Sequence, residues 1–335
     1  MKNIFWIPDN SAQKERRKSK KKTLKGILMG CMAVVGLLIA EPQETKAVTT
    51  SDVYWNGSTA YVATQAGLNA ACDRNMTADI YLLNDITLLK KDKGTNYPTG
   101  ISVYGVKTLH GNGHTIKNGI QTDDSDANAD VKENGAPVFN VANTLTVQDV
   151  VINGGNAKYR SAIVVNFGGT VNVKSGTYIT GCKSWDCGSG TRGGHGIWCR
   201  EGGVINVYDG SIYGNEQSGI GSSGGTVSVA GGNIYNNGNN GISSYGTLYF
   251  HGGTINQNAN CGIYVGDGRA YINGGLIAGN RSEASAGIGI QKGDVVMNGG
   301  TVNNLSQTGV YLLNGNGTFT MNAGEINGES KNMVS

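Results

Sequence analysis

From residue 168 to residue 327 one short unit is written again and again, which leaves the chain few folds to choose from. The units read GGTVNVKSGTYITGC, GGVINVYDGSIYGN, GGTVSVAGGNIYNN, GTLYFHGGTINQN, GRAYINGGLIAGN, GDVVMNGGTVNNL and GTFTMNAGEING. Their first apolar positions are Val171, Ile205, Val227, Leu248, Ala270, Val295 and Phe319, spaced 34, 22, 21, 22, 25 and 24 residues apart. The basic period is about 22 with insertions. Each unit holds three short apolar pieces. One alternates, as in Val227-Ser228-Val229; one is G-x-I, at Ile212, Ile234, Ile255, Ile277 and Val302; one is G-I or G-V, at Ile197, Ile220, Ile242, Ile263, Ile288 and Val310. Alternation with period 2 is a strand signal, and glycine between such short pieces stops a helix.

Three short strands per turn, with equivalent positions stacking between turns, describe an all-β parallel β-helix. One coil cannot bury its own apolar face, so stacking makes the core. The seven first positions are therefore predicted to form one buried column. Asn215, Asn237, Asn258 and Asn280 each follow the G-x-I isoleucine by three residues. Asparagine tolerates left-handed backbone and bonds its own copies when stacked, so a structural ladder is expected. Cys182 and Leu305 hold the same slot, and the ladder is expected to end there.

The 54 glycines and 15% charged residues suit a glycine-turned solenoid better than a helical globule. Residues 1–47 read as an export signal: a basic stretch, then 14 apolar residues at 27–40, then Thr45-Lys46-Ala47 before a cleavage site. That run is short for a membrane span, so no membrane association is expected after cleavage. Leu28-Met29-Gly30-Cys31 mimics a lipoprotein box, but precedes most of the apolar run. Of 27 basic and 24 acidic residues, ten and four lie in this segment, leaving 17 against 20 and a net −3. The positive charge belongs to the signal and gives no case for nucleic acid. Five cysteines remain. Cys182, Cys187 and Cys199 crowd the one long coil, where a disulfide would staple the insertion. With His195 they also make a four-ligand zinc candidate of non-standard spacing.

Residues 48–78 read as a polar segment and a helical cap, with helix-like apolar spacing across 61–73. Residues 79–335 read as the β-helix. Asp79-Ile80-Tyr81-Leu82-Leu83-Asn84-Asp85-Ile86-Thr87-Leu88 and then Gly111-Asn112-Gly113-His114-Thr115-Ile116 follow the cap. A short helix followed by these two motifs resembles the opening of pectate-lyase-like β-helix proteins, and most of all the repeat-bearing surface and adhesive domains of Gram-positive bacteria. The resemblance runs from about residue 61 onward. It implies a right-handed coil and a secreted or cell-surface location. The sequence stops inside a coil, so a longer protein or a strand-pairing partner is expected. An insertion at 121–137 carries Asp124, Asp126, Asn128 and Asp130, the spacing of the first four oxygen ligands of a calcium loop. It lacks that loop's glycine and closing glutamate, and a solvated acidic loop is the other reading.

Catalysis on an acidic polysaccharide needs paired carboxylates, or clustered acids with a base. Of the polygalacturonase-like pattern only Gly194-His195-Gly196 matches, and the acids from residue 202 onward share no slot. The long coil does gather suitable groups. Asp186, Arg192, His195 and Arg200 are the catalytic candidates. Trp185, Arg192, Trp198 and Arg200, with Tyr245, Tyr264 and Tyr311 in equivalent outward slots, are the binding candidates. Rings stack on sugar faces and arginine holds carboxylates. The favoured reading is a secreted or surface β-solenoid that adheres by binding a glycan or a host-surface ligand. The alternative is a polysaccharide lyase or hydrolase. A third is a repetitive surface such as ice, met by Thr170, Thr226, Thr247, Thr301 and Thr318.

Overall fold

The computed structural model of the chain describes residues 53–88, 100–119, 137–155, 160–186, 191–280, 286–304, 308–313 and 316–328. Three sheets run along this part, with twelve, ten and nine strands, and neighbouring strands in each come from successive coils. One coil supplies a strand to each sheet, as Thr226–Val229, Asn233–Tyr235 and Ile242–Ser244 do. It then climbs one strand spacing, about 4.8 Å. The pairing is parallel throughout the coils, so the architecture is the predicted parallel β-helix.

Val171, Ile205, Val227, Leu248, Ala270, Val295 and Phe319 pair in that order in the first sheet. The first six are fully buried, and Phe319, in the last described coil, is half-buried. The same column continues towards the N-terminus through Leu145 to Lys107 and Ala78. A lysine in a core slot needs compensation. Lys107 Nζ donates to the carbonyls of Arg74, at 2.6 Å, and Met76, at 2.5 Å. Arg74 closes a helix, α1 (Gln65–Asp73), whose C-terminal end favours a cation. Burial nevertheless lowers the Lys107 pKa.

The repeat motif interlocks between coils. A Cβ on Gly219 would stand 2.6 Å from Ile234 Cγ2 and 2.8 Å from Asn237 Nδ2, both of the next coil. Gly196, Gly241 and Gly262 meet the next coil's isoleucine and asparagine in the same way. The glycine before each third-sheet isoleucine thus makes room for the second-sheet isoleucine and the Asn ladder above it. In the ladder, the backbone N–H of Asn215, Asn237 and Asn258 each donates to the next Asn Oδ1, at 3.1–3.2 Å. Their Nδ2 groups donate to the isoleucine carbonyl of the coil below, at 3.2–3.3 Å. The expected end at Leu305 is corrected. Asn280 N donates to Asn304 Oδ1 at 3.0 Å, so a residue one place earlier carries the ladder on. Cys182 does close the other end, its N–H donating to Asn215 Oδ1 at 3.3 Å.

The cap differs in detail from the 61–73 helix that its spacing predicts. Tyr61 and Val62 end a strand, Thr59–Val62, which pairs in the first sheet with Ala78–Leu82 and with Val53–Asn56. The helix α1 begins three residues later. Thr64 is its N-cap, accepting from Gly67 N at 3.1 Å, and it buries Leu68, Ala71 and Cys72. The segment read as polar is therefore half of a hairpin. Its signal was Gly57-Ser58, the two-residue loop between Asn56 and Thr59, with Gly57 at φ +60°.

Candidate functional site

The extra length of the 34-residue coil is a hairpin. Ser184–Asp186 pairs antiparallel with Thr191–Gly193, and Trp185 faces Arg192 in the register. Glu216 of the next coil fastens its base, accepting from Ser184 N at 2.6 Å and Ser184 Oγ at 2.9 Å, with Lys183 Nζ at 3.7 Å. The side chains of Trp185, Asp186 and Arg192 lie outside the described residues, as do Cys187 and the calcium candidates Asp124, Asp126, Asn128 and Asp130. Cys182 and Cys199 are free and buried, so the two do not form the expected staple with each other. Burial pushes both thiols up, to about 12 and about 11. Among the described residues no three metal-binding side chains cluster.

The hairpin lies in the connection between a second-sheet strand, Tyr178–Thr180, and a third-sheet strand, Ile197–Cys199, and the outer face of the third sheet follows it. One register column there runs Val164, Trp198, Gly221, Ser243, Tyr264, Gly289, Tyr311. Alternation placed Trp198, Tyr264 and Tyr311 correctly on this column. Tyr245 lies two residues beyond Ser243, in the turn leading to the first sheet, where it holds the outward slot of Arg200 rather than that of Trp198. Its N–H donates to Ser222, as the N–H of Arg200 does to Val165 two coils earlier, so Arg200 and Tyr245 share a corner column. Arg200, Tyr245 and Tyr311 are exposed, and Trp198 and Tyr264 are half-buried. The rings of Tyr245 and Tyr264 meet edge-on with centroids 6.1 Å apart. Tyr264 also donates to Gln291 Oε1 at 2.6 Å. Burial first, then the neighbouring Tyr245, raises its pKa to about 12.

His195 stacks under Trp198 with centroids 4.9 Å apart. Its Nδ1 is shielded from solvent and has no hydrogen-bond partner. Burial holds its pKa near 4. The catalytic candidate is thus a partly exposed residue whose ring lies against Trp198 and whose neutral form is favoured by burial.

One aromatic of this face escaped the reading of the sequence. Phe167 is 80% exposed in the corner turn before Gly168, and its ring reaches Gly202 of the next coil, beside Arg200 and Glu201. The available signal was a phenylalanine inside a turn, Asn166-Phe167-Gly168-Gly169, in a chain with only five. The threonine array of the third reading is not continuous. Thr170, Thr226, Thr247 and Thr318 share a first-sheet column that Val204, Arg269 and Asp294 interrupt. Thr301 belongs to the second sheet.

Residues 59–181, the cap and the first coils, match the family described as "Putative pectate lyase-like adhesive domain". No curated protein and no solved structure matches the chain. The family match at one end and the parallel coils beyond it agree in fold: the chain is a parallel β-helix protein that is pectate-lyase-like over residues 59–181.

Proposed function

We propose that this is an exported β-helix protein, secreted or displayed on a Gram-positive cell, that adheres by binding a glycan on the outer face of its third sheet. The observation that carries the reading is the grouping on that face: Trp198, Tyr264 and Tyr311 in one column, with Phe167, Arg200 and Tyr245 along its corner. The hairpin bearing Trp185 and Arg192 leads into the strand that carries Trp198. A sugar stacks on an exposed ring while Arg200 holds an acidic substituent. The adhesive-domain match supports holding a ligand, and the shielded His195 supports binding over proton transfer. The basic-then-apolar N-terminus supports export.

A glycan array tests the reading, run on the full chain beside the double variant Trp198→Ala, Arg200→Ala. Loss of an aromatic anchor typically costs about 2 kcal/mol or more of binding. The double variant is expected to lose array binding while keeping its far-UV circular dichroism. Undiminished binding by the variant would put the site elsewhere. Release of unsaturated uronides from polygalacturonate by the wild type would replace adhesion with lyase activity.

A further inference from the structure

We propose that Gly221 and Gly266 are positioning residues of the third-sheet face, seating the rings of Trp198 and Tyr245 so that one face of each stays open to a ligand. The inference rests on that face being the glycan site. A Cβ on Gly221 would lie 2.6 Å from Trp198 Cε3, 2.8 Å from Trp198 Cζ3 and 2.9 Å from His195 Nδ1. A Cβ on Gly266 would lie 2.2, 2.5 and 2.7 Å from Tyr245 Cε1, Cζ and Cδ1. Neither glycine has a positive φ, so the backbone alone does not require glycine at either place. Glycine in or beside a strand weakens it unless something approaches closely. Here the approaching group is a ring from the preceding coil.

The arrangement recurs in the same direction. Gly289 faces Tyr264, with Cys261 Sγ at 2.7 Å from its notional Cβ and Tyr264 Cδ2 at 3.5 Å. Gly202 faces Phe167 Cδ2 at 2.7 Å, although its φ of +70° gives it a second reason to be glycine. On the other two sheets the ring is followed by another ring. Tyr213 stacks on Tyr235 at 5.0 Å, and Tyr249 on Tyr271 at 5.3 Å, with interplanar angles of 6° and 9°. Those rings cover one another. On the third sheet the residue after Trp198 and after Tyr264 is glycine, so no ring of the next coil covers them; His195 of its own coil stacks on Trp198, and the ring's other face is the one offered to the C–H face of a sugar.

The test uses the full chain labelled with 5-fluorotryptophan, the Trp198 resonance being assigned with Trp198→Phe. Gly221→Ala is expected to shift that resonance. The three atoms nearest a Cβ on Gly266 all belong to the exposed ring of Tyr245, which can give way, so Gly266→Ala is expected to keep the fold and serves if Gly221→Ala does not. By calorimetry with hexagalacturonate and cellohexaose, each alanine variant is expected to bind about tenfold or more weakly. In a Tyr245→Ala background, Gly266→Ala should add no further loss. An unshifted Trp198 resonance, or an equal loss from Gly266→Ala with and without Tyr245, overturns the proposal. If the wild type binds neither oligosaccharide, the glycan reading falls, while the Trp198 resonance still decides whether Gly221 seats the ring.

Discussion

Asn237 holds two coils at once. Its Oδ1 accepts from Asn215 N at 3.2 Å and Asn215 Nδ2 at 3.1 Å, and its Nδ2 donates to Ile212 O at 3.2 Å and Asn258 Oδ1 at 3.0 Å. All of this lies out of water, so Asn237→Ala leaves buried groups unpaired and should cost roughly 1–3 kcal/mol. The denaturant midpoint should fall with the slope unchanged. His195 supplies a pH dependence. Burial holds its folded pKa at about 4, below the ordinary value of 6.5, so between those values the unfolded chain binds the extra proton. Stability from this residue is complete above pH 6.5 and is lost as pH falls towards 4. The loss should reach up to about 3 kcal/mol. His195→Gln, which cannot titrate, should flatten that part of the melting-temperature profile; an unchanged profile would assign the pH dependence to other groups.

The hairpin is an addition to a coil that closes without it. Tyr178–Thr180 pairs with the coils on both sides, and so does Ile197–Cys199. Loop length costs little once its ends are fixed. Replacing residues 184–193 by a two-glycine link should therefore leave the melting temperature within a few degrees and weaken glycan binding, as thermal melts and the array would show. A large drop in melting temperature would make the hairpin part of the fold. The first sheet carries a different device, an outer line of side chains in mutual contact. Tyr61, Tyr81 and His110 stack in turn, Tyr54 meets Tyr61 at a tilt, and His110 meets Gln148 at 2.9 Å. Further along that edge Lys174 sits over Tyr208, and His251, Asn273, Asn298 and Asn322 join in an amide chain. Such ladders reward the parallel register, because a slip of one residue breaks every contact.

At the scale of the molecule, each coil touches only its neighbours, so stability is close to a sum of nearest-coil terms. Position along the stack then sets what a cavity costs. Leu248 is fully buried between Val227 and Ala270, and Leu248→Ala should cost about 2–5 kcal/mol. Phe319, in the same column but half-buried in the last described coil, should cost less on truncation despite its size. Equilibrium unfolding of the two variants checks the order. The reverse order would mean that Phe319 is covered in solution.

The seven-residue column was legible because a parallel coil turns sequence period into spatial distance: residues one period apart must stack, whatever the turns between them do. The strand alternation that put Trp198 and Tyr264 outward and Ile197 and Ile263 inward was legible for the same reason. The turns were not. A turn of variable length moves a residue by a place without disturbing the strands, so Asn304 rather than Leu305 continues the ladder. Lys107 reads as a surface lysine until the carbonyls of Arg74 and Met76, more than thirty residues away, are seen to enclose its ammonium group. Gly221 and Gly266 look like any other of the 54 glycines, and only the rings laid across them by the preceding coil give them a separate reason to be there. Periodicity determined the coil; contacts between non-equivalent positions, which no period records, decided the shape of the third sheet's outer face.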